Sequence, residues 1–247
     1  MQDETIVFQL ATHYLPRIAL RLESLFLTIK EACEEKHPII HHYALKNIIE
    51  VIVLIEKPEL KSRFLKEFMR IEHAVNKSQA TISNSLYADL FLQIQHLSHI
   101  AGKFGASLDH DPFLQSIRLT QAVSQTDCEL DSPQLLLWLD SMVSLRQRDL
   151  DKWLQHLKML YQTVAVYLSL LRSTATFQKI ELLNGFYQRS LPSRSCHLIL
   201  LRMDKHCGLV PKMQLGHHSF SLRFCEVASM QEIPGTDTSI DLAICQL

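Results

Sequence analysis

A chain of 247 residues with 47% hydrophobic and 21% charged residues can bury one large core or two smaller ones, which excludes a disordered protein. Its formal net charge of -1 excludes a global attraction to nucleic acid or anionic lipid, so any electrostatic partner must be met by a local patch. Before residue 176 the only glycines are Gly102 and Gly105, so the first two-thirds of the chain reads as helix and the last third as strand and turn.

The N-terminus carries Asp3 and Glu4 and lacks the basic stretch and apolar run of a secretory signal. Helices are expected over residues 14–35 and 39–56. In the second of these, the apolar run Ile48 to Ile55 is broken by Glu50 and is far shorter than the roughly 20 residues of a membrane span, so no membrane insertion is expected. Leu60, Phe64, Phe68, Ile71 and Val75 recur at steps of three or four, on one face of a third helix opened by Pro58. A fourth helix is expected over 81–101. Asp109-His110-Asp111-Pro112 then reads as a surface loop in which Asp111 caps the next helix, and Ser132-Pro133 starts another over 133–141. The strongest 3.6-residue rhythm runs from Leu150 through Trp153, Leu157, Leu160, Val164 and Leu168 to Leu171.

After about residue 176 the period falls to two. Phe220, Leu222 and Phe224 alternate with Ser219, Ser221 and Arg223, so a strand over 218–224 has one buried and one wet face. Further strands are expected over 182–188, 196–204 and 239–245, with turns at Cys207-Gly208 and Pro234-Gly235. They would form one antiparallel sheet whose apolar face packs against the helices. The expected fold class is α+β, a predominantly α-helical domain over 1–175 packed with a smaller antiparallel β-strand domain over 176–247. The stretch of about 113–131 is assignable to either.

Nothing points to catalysis, a cofactor or a metal. Six scattered cysteines include no C-x-x-C pair and read as reduced, mostly buried thiols. No glycine-rich phosphate loop, dinucleotide fingerprint or G-x-S-x-G elbow is present. His41-His42 and His217-His218 are adjacent, so the two rings of each pair diverge. His96 and His99 share a helical face but lack the context of a zinc motif.

Charge is segregated late in the chain. Residues 172–223 carry a net +6, including Arg172, Arg189, Arg202, Lys212 and Arg223, whereas residues 224–247 carry -4 and no Lys or Arg. The first stretch is a candidate groove for an acidic peptide or phosphate, with His197, His206, His217 and His218 able to add charge near neutral pH. An alternative use is nucleic-acid binding by a regulatory protein, against which stand the overall neutrality and the lack of a helix-turn-helix or RNA-binding signature.

Leu183-Asn184-Gly185-Phe186-Tyr187-Gln188 resembles the L-N-G-F-Y-Q segment of the ZapD family, and suits a turn entering a strand with Asn-Gly at positive φ. Further similar segments follow the family order: Arg17-x-x-x-Arg21-Leu22-Glu23, Lys66-Glu67, Asp131-Ser132-Pro133 before Leu137-Trp138-Leu139, and Gly216-His217-x-Ser219 leading to Arg223-Phe224. The ending Asp241-Leu242-Ala243-Ile244-Cys245 is similar too. The resemblance implies a non-enzymatic cytoplasmic homodimer that binds the C-terminal tail of the tubulin-like division protein FtsZ and bundles its filaments at the midcell ring. It also implies tail contacts at Arg17, Arg21, Arg118, His217, His218 and Arg223. One departure is that Gly216-His217-His218-Ser219-Phe220 stands where the family has a more basic G-H-K-S-R-F run, which predicts weaker or more pH-dependent tail binding.

Overall fold

The computed structural model describes residues 4–57, 59–77, 82–123, 132–191, 196–217, 219–234 and 240–246. Pro58, His218, Gly235 and the part of the 113–131 stretch beyond Val123 lie outside the described residues. The chain forms two compact units, and each is assembled from separated segments.

The helical unit comprises Ile18–Glu72 and Ala88–Tyr167. It contains all or most of α1 (Tyr14–Glu34), α2 (Pro38–Ile55), α3 (Glu59–Asn76), α4 (Asn84–His99), α5 (Pro112–Val123), α6 (Pro133–Asp140) and α7 (Val143–Ser173), with a 3-10 turn over Ala106–His110. The helix boundaries follow the expected ones closely, except that α7 starts seven residues before its apolar stripe. Helix α5 falls in this unit.

Local chemistry sets the helix starts. Asp111 Oδ1 accepts from the backbone N–H of Phe113 and Leu114, both at 3.1 Å, as an N-cap should. Its Oδ2 accepts from Trp153 Nε1 at 3.0 Å and Lys152 Nζ at 3.3 Å, tying α5 to α7. Ser132 Oγ likewise accepts from Leu135 N at 3.3 Å, with Pro133 in the first turn. Phe113 then stacks on Trp153 with centroids 5.6 Å apart.

The α3 stripe meets α7 through Tyr167, whose ring is edge-on to Phe64 at 5.5 Å and to Phe68 at 6.2 Å. Helix α2 is long and apolar enough to cross a membrane, but Ala44, Leu45, Ile48, Val51, Ile52 and Ile55 are buried within the protein. Its apolarity is that of a core helix.

The sheet-bearing unit comprises Met1–Arg17, His73–Tyr87 and Leu168–Leu247. It holds β1 (Thr5–Ala11), β2 (Gln178–Ile180), β3 (Phe186–Ser190), β4 (Cys196–Asp204), β5 (Leu209–Leu215), β6 (Ser219–Glu226) and β7 (Ile240–Gln246). This unit draws its first strand from the N-terminus, where β1 pairs antiparallel with β4 over Thr5↔Asp204 to Ala11↔Leu198.

Among the described residues two antiparallel sheets form instead of the expected one, β1-β4-β7-β2 and β3-β6-β5. The reason lies in their inner faces. Ile199, Leu201 and Met203 of β4, Ile240 and Leu242 of β7, and Phe220, Leu222 and Phe224 of β6 make one buried cluster, so each sheet covers the other's apolar side. Strand β4 is buried on both faces, since Leu198 and Leu200 are also inaccessible, which explains its unbroken apolar run.

Candidate functional site

On the outer face of the three-stranded sheet, strand register brings three side chains into a row. Arg223 of β6 lies directly opposite Phe186 of β3 on one side and Lys212 of β5 on the other. The Arg223 guanidinium sits 5.1 Å from the Phe186 ring centroid, a cation–π contact that orients it. Two cations opposite one another repel. Glu232 relieves this, accepting from Arg223 Nη1 at 2.6 Å and from Lys212 Nζ at 2.9 Å. Hydrogen bonds from Arg223 and Lys212, with their charges, hold the Glu232 carboxyl below its ordinary pKa.

The segment carrying Glu232 is held by the backbone. Glu232 bridges to Cys225, Glu226 N donates to Gln231 O at 3.0 Å, and Ile233 N donates to Phe224 O at 3.0 Å. Its far end rests on the turn of the L-N-G-F-Y-Q segment. Asn184 and Gly185 both take positive φ, and Leu183 and Phe186 exchange backbone hydrogen bonds across them. A Cβ on Gly185 would come 2.4 Å from Ile233 O, so only glycine lets the two segments approach. As expected, Phe186 and Tyr187 point to opposite faces, Phe186 toward Arg223 and Tyr187 toward Phe220 in the interior.

In the helical unit, Arg21 of α1 makes a two-point pair with Glu50 of α2, Nε to Oε1 at 2.7 Å and Nη2 to Oε2 at 2.8 Å. This pairing raises the pKa of Arg21. Arg118 of α5 is paired with Glu56, which follows α2. Arg17 lies one turn before Arg21 on α1 and is exposed, with no ion pair or side-chain hydrogen bond among the described residues. His217 is exposed just before β6, and His218 lies outside the described residues. Arg21 and Arg118 thus belong to the helical unit, and Arg17 and Arg223 to the sheet-bearing one.

The basic stretch is not the bare cationic groove expected from its sequence. Antiparallel pairing folds the acidic ending back over it, so Arg202 meets Asp241 at 2.8 Å while Arg223 and Lys212 share Glu232. Arg172 donates to Gln9 Oε1, and Arg189 is exposed. Glu50, Glu56 and Glu232 were missed as members of the candidate sites. Glu50 is 29 residues from Arg21 and Glu56 62 residues from Arg118, and no local pattern marks such pairs.

Among the described residues no group of three His, Cys, Asp or Glu is placed to hold a metal ion. Burial pushes the thiols of Cys33, Cys196 and Cys245 up to about 11, which leaves them poor nucleophiles at neutral pH. His41 is wholly buried, with Nε2 2.8 Å from Glu35 O and Nδ1 accepting from Arg146 Nε at 3.0 Å.

Comparison with known proteins gives a consistent answer. The family model ZapD, described as cell division protein, matches residues 20–223. The chain is 25% identical over 239 residues to a cell division protein ZapD of Azoarcus sp. (strain BH72), covering 94% of this chain and 95% of that one. It is 29% identical over 217 residues to the one from Cupriavidus metallidurans, covering 85% and 86%, and 27% identical over 232 residues to the one from Coxiella burnetii, covering 91% and 90%. The match runs through α1, the turn at Asn184-Gly185 and the Arg223 row alike, and the chain therefore belongs to the ZapD family of cell division proteins.

Proposed function

We propose that this protein acts by binding alone, as a cytoplasmic homodimer that holds the C-terminal tail of FtsZ and crosslinks FtsZ filaments at the midcell division ring. The observation that carries this reading is family membership combined with four arginines, Arg17, Arg21, Arg118 and Arg223, three of them engaged with carboxylates on the protein itself. A guanidinium fork that already grips a carboxylate has the geometry to grip one from an acidic tail. Two copies carry two sets of contacts, and a filament displays many tails, so the second binding event occurs at high effective concentration and modest single-site affinity suffices for bundling. The nucleic-acid alternative loses ground, because Arg202, Lys212 and Arg223 are neutralised by acidic neighbours.

The test is co-sedimentation with FtsZ filaments, with and without the FtsZ tail. Wild-type protein should pellet only with tailed filaments. Arg21→Glu and Arg223→Glu should each lose pelleting while helicity and dimerisation persist. Undiminished bundling by these variants, or of tail-less filaments, would sink the reading. A gel shift at moderate salt, expected to be blank, separates the nucleic-acid alternative.

A further inference from the structure

Three of the arginines assigned to the tail share one feature: each is already occupied. Glu232 spans Arg223 and Lys212, Glu50 grips Arg21 at two points, and Glu56 is paired with Arg118. The pairs are exposed: the side chains of Arg223 and Glu232 keep 52% and 38% accessibility, and those of Arg21 and Glu50 53% and 38%. Such exposed pairs contribute little to stability and open readily in water.

We propose that these glutamates, Glu232 foremost, are internal competitors of the partner, so that an acidic peptide binds by carboxylate exchange. The peptide carboxylate takes Arg223 and Lys212 as Glu232 swings out to solvent. This rests on the reading that the arginines take the acidic tail.

The surroundings of Glu232 suit such an exchange. The Arg223 guanidinium is braced by Phe186 and Lys212 is set opposite it by strand register, so neither cation depends on Glu232 for its backbone position. Glu232 instead lies in a short segment after β6, and its side chain is exposed to water. Removing its charge leaves two cations facing each other with no other paired carboxylate among the described residues, which raises their attraction for an incoming anion. The consequence is a specificity filter. A single weak carboxylate only trades places with the glutamate at no gain, whereas a peptide presenting several carboxylates, or one on a flexible chain with further contacts, outcompetes it.

The experiment measures binding of a fluorescently labelled FtsZ C-terminal peptide by anisotropy at moderate salt, for wild type, Glu232→Gln, Glu50→Gln and the control Glu226→Gln. Glu226 loses the same charge nearby but is bonded to Ser229 and, among the described residues, to no arginine. Glu232→Gln and Glu50→Gln should bind about two- to five-fold tighter than wild type, the span of a surface ion pair. Glu226→Gln should match wild type, and all four should melt alike. Wild-type binding with Glu232→Gln unchanged or weaker overturns exchange and makes Glu232 a positioning residue. Equal tightening by Glu226→Gln reduces the effect to net charge and overturns it too. No binding by any of the four overturns the tail reading itself.

Discussion

Arg146 carries its charge into the interior, and among the described residues no carboxylate meets it. Its guanidinium donates to Leu139 O at 2.8 Å, to Ser141 O, to Lys36 O at 3.2 Å and to His41 Nδ1 at 3.0 Å. His41 is thereby locked as the neutral tautomer, because a proton on Nδ1 would face the Arg146 N–H. Burial and the Arg146 charge lower its pKa, against the opposing effect of the bond to Glu35 O. The unfolded chain titrates His41 near 6.5 and takes up a proton there that the native state refuses, so this contribution to stability is present above that pH and is lost below it. Urea midpoints should fall between about pH 7.5 and about pH 5.5, and His41→Gln should flatten that slope. An unchanged slope in the variant would assign the dependence to other groups. The sequence showed His41-His42 only as a pair too close to share a metal. Arg146, 105 residues away, is what gives His41 its role.

Elements were legible where their chemistry is local. The caps at Asp111 and Ser132 and the Asn184-Gly185 turn need only neighbouring residues, and all three form as expected. Strands β1, β2 and β5 were not foreseen. Strand β2 has three residues, β5 contains Pro211 and Lys212, and both are edge strands held in place by a partner rather than by their own pattern. The turn also supports a prediction at this level. Gly185→Ala meets both a left-handed φ and the Ile233 carbonyl, whereas Gly208→Ala meets the left-handed φ alone, since nothing lies within 4 Å of its would-be Cβ. Gly185→Ala should cost about 2 kcal/mol or more in chemical denaturation, and Gly208→Ala about 1 kcal/mol. Equal losses would mean that the packing of residues 233–234 on the turn contributes nothing.

For the molecule as a whole, the proposed bundling depends on exposed charges. It should weaken steadily as ionic strength rises from about 0.05 M to about 0.3 M, where the Debye length falls well below 10 Å. Light scattering of filament mixtures measures this directly, and salt-independent bundling would point to an apolar contact instead. Exposed apolar side chains, among them Leu137, Met142 and Leu119, would be the place to look for one.

Periodicity, capping residues and glycine placement were enough to establish an α+β chain, because each signal acts over a few residues and survives in the unfolded chain. The same holds for the family resemblance carried by Leu183 to Gln188. Long-range pairing was not readable. That β1 joins β4, that two sheets cover one another, and that Glu50, Glu56 and Glu232 sit on Arg21, Arg118 and Arg223 follow from strand register and helix packing. These bring together residues up to nearly 200 positions apart, and a charge written in the sequence has no partner until the folded chain supplies one.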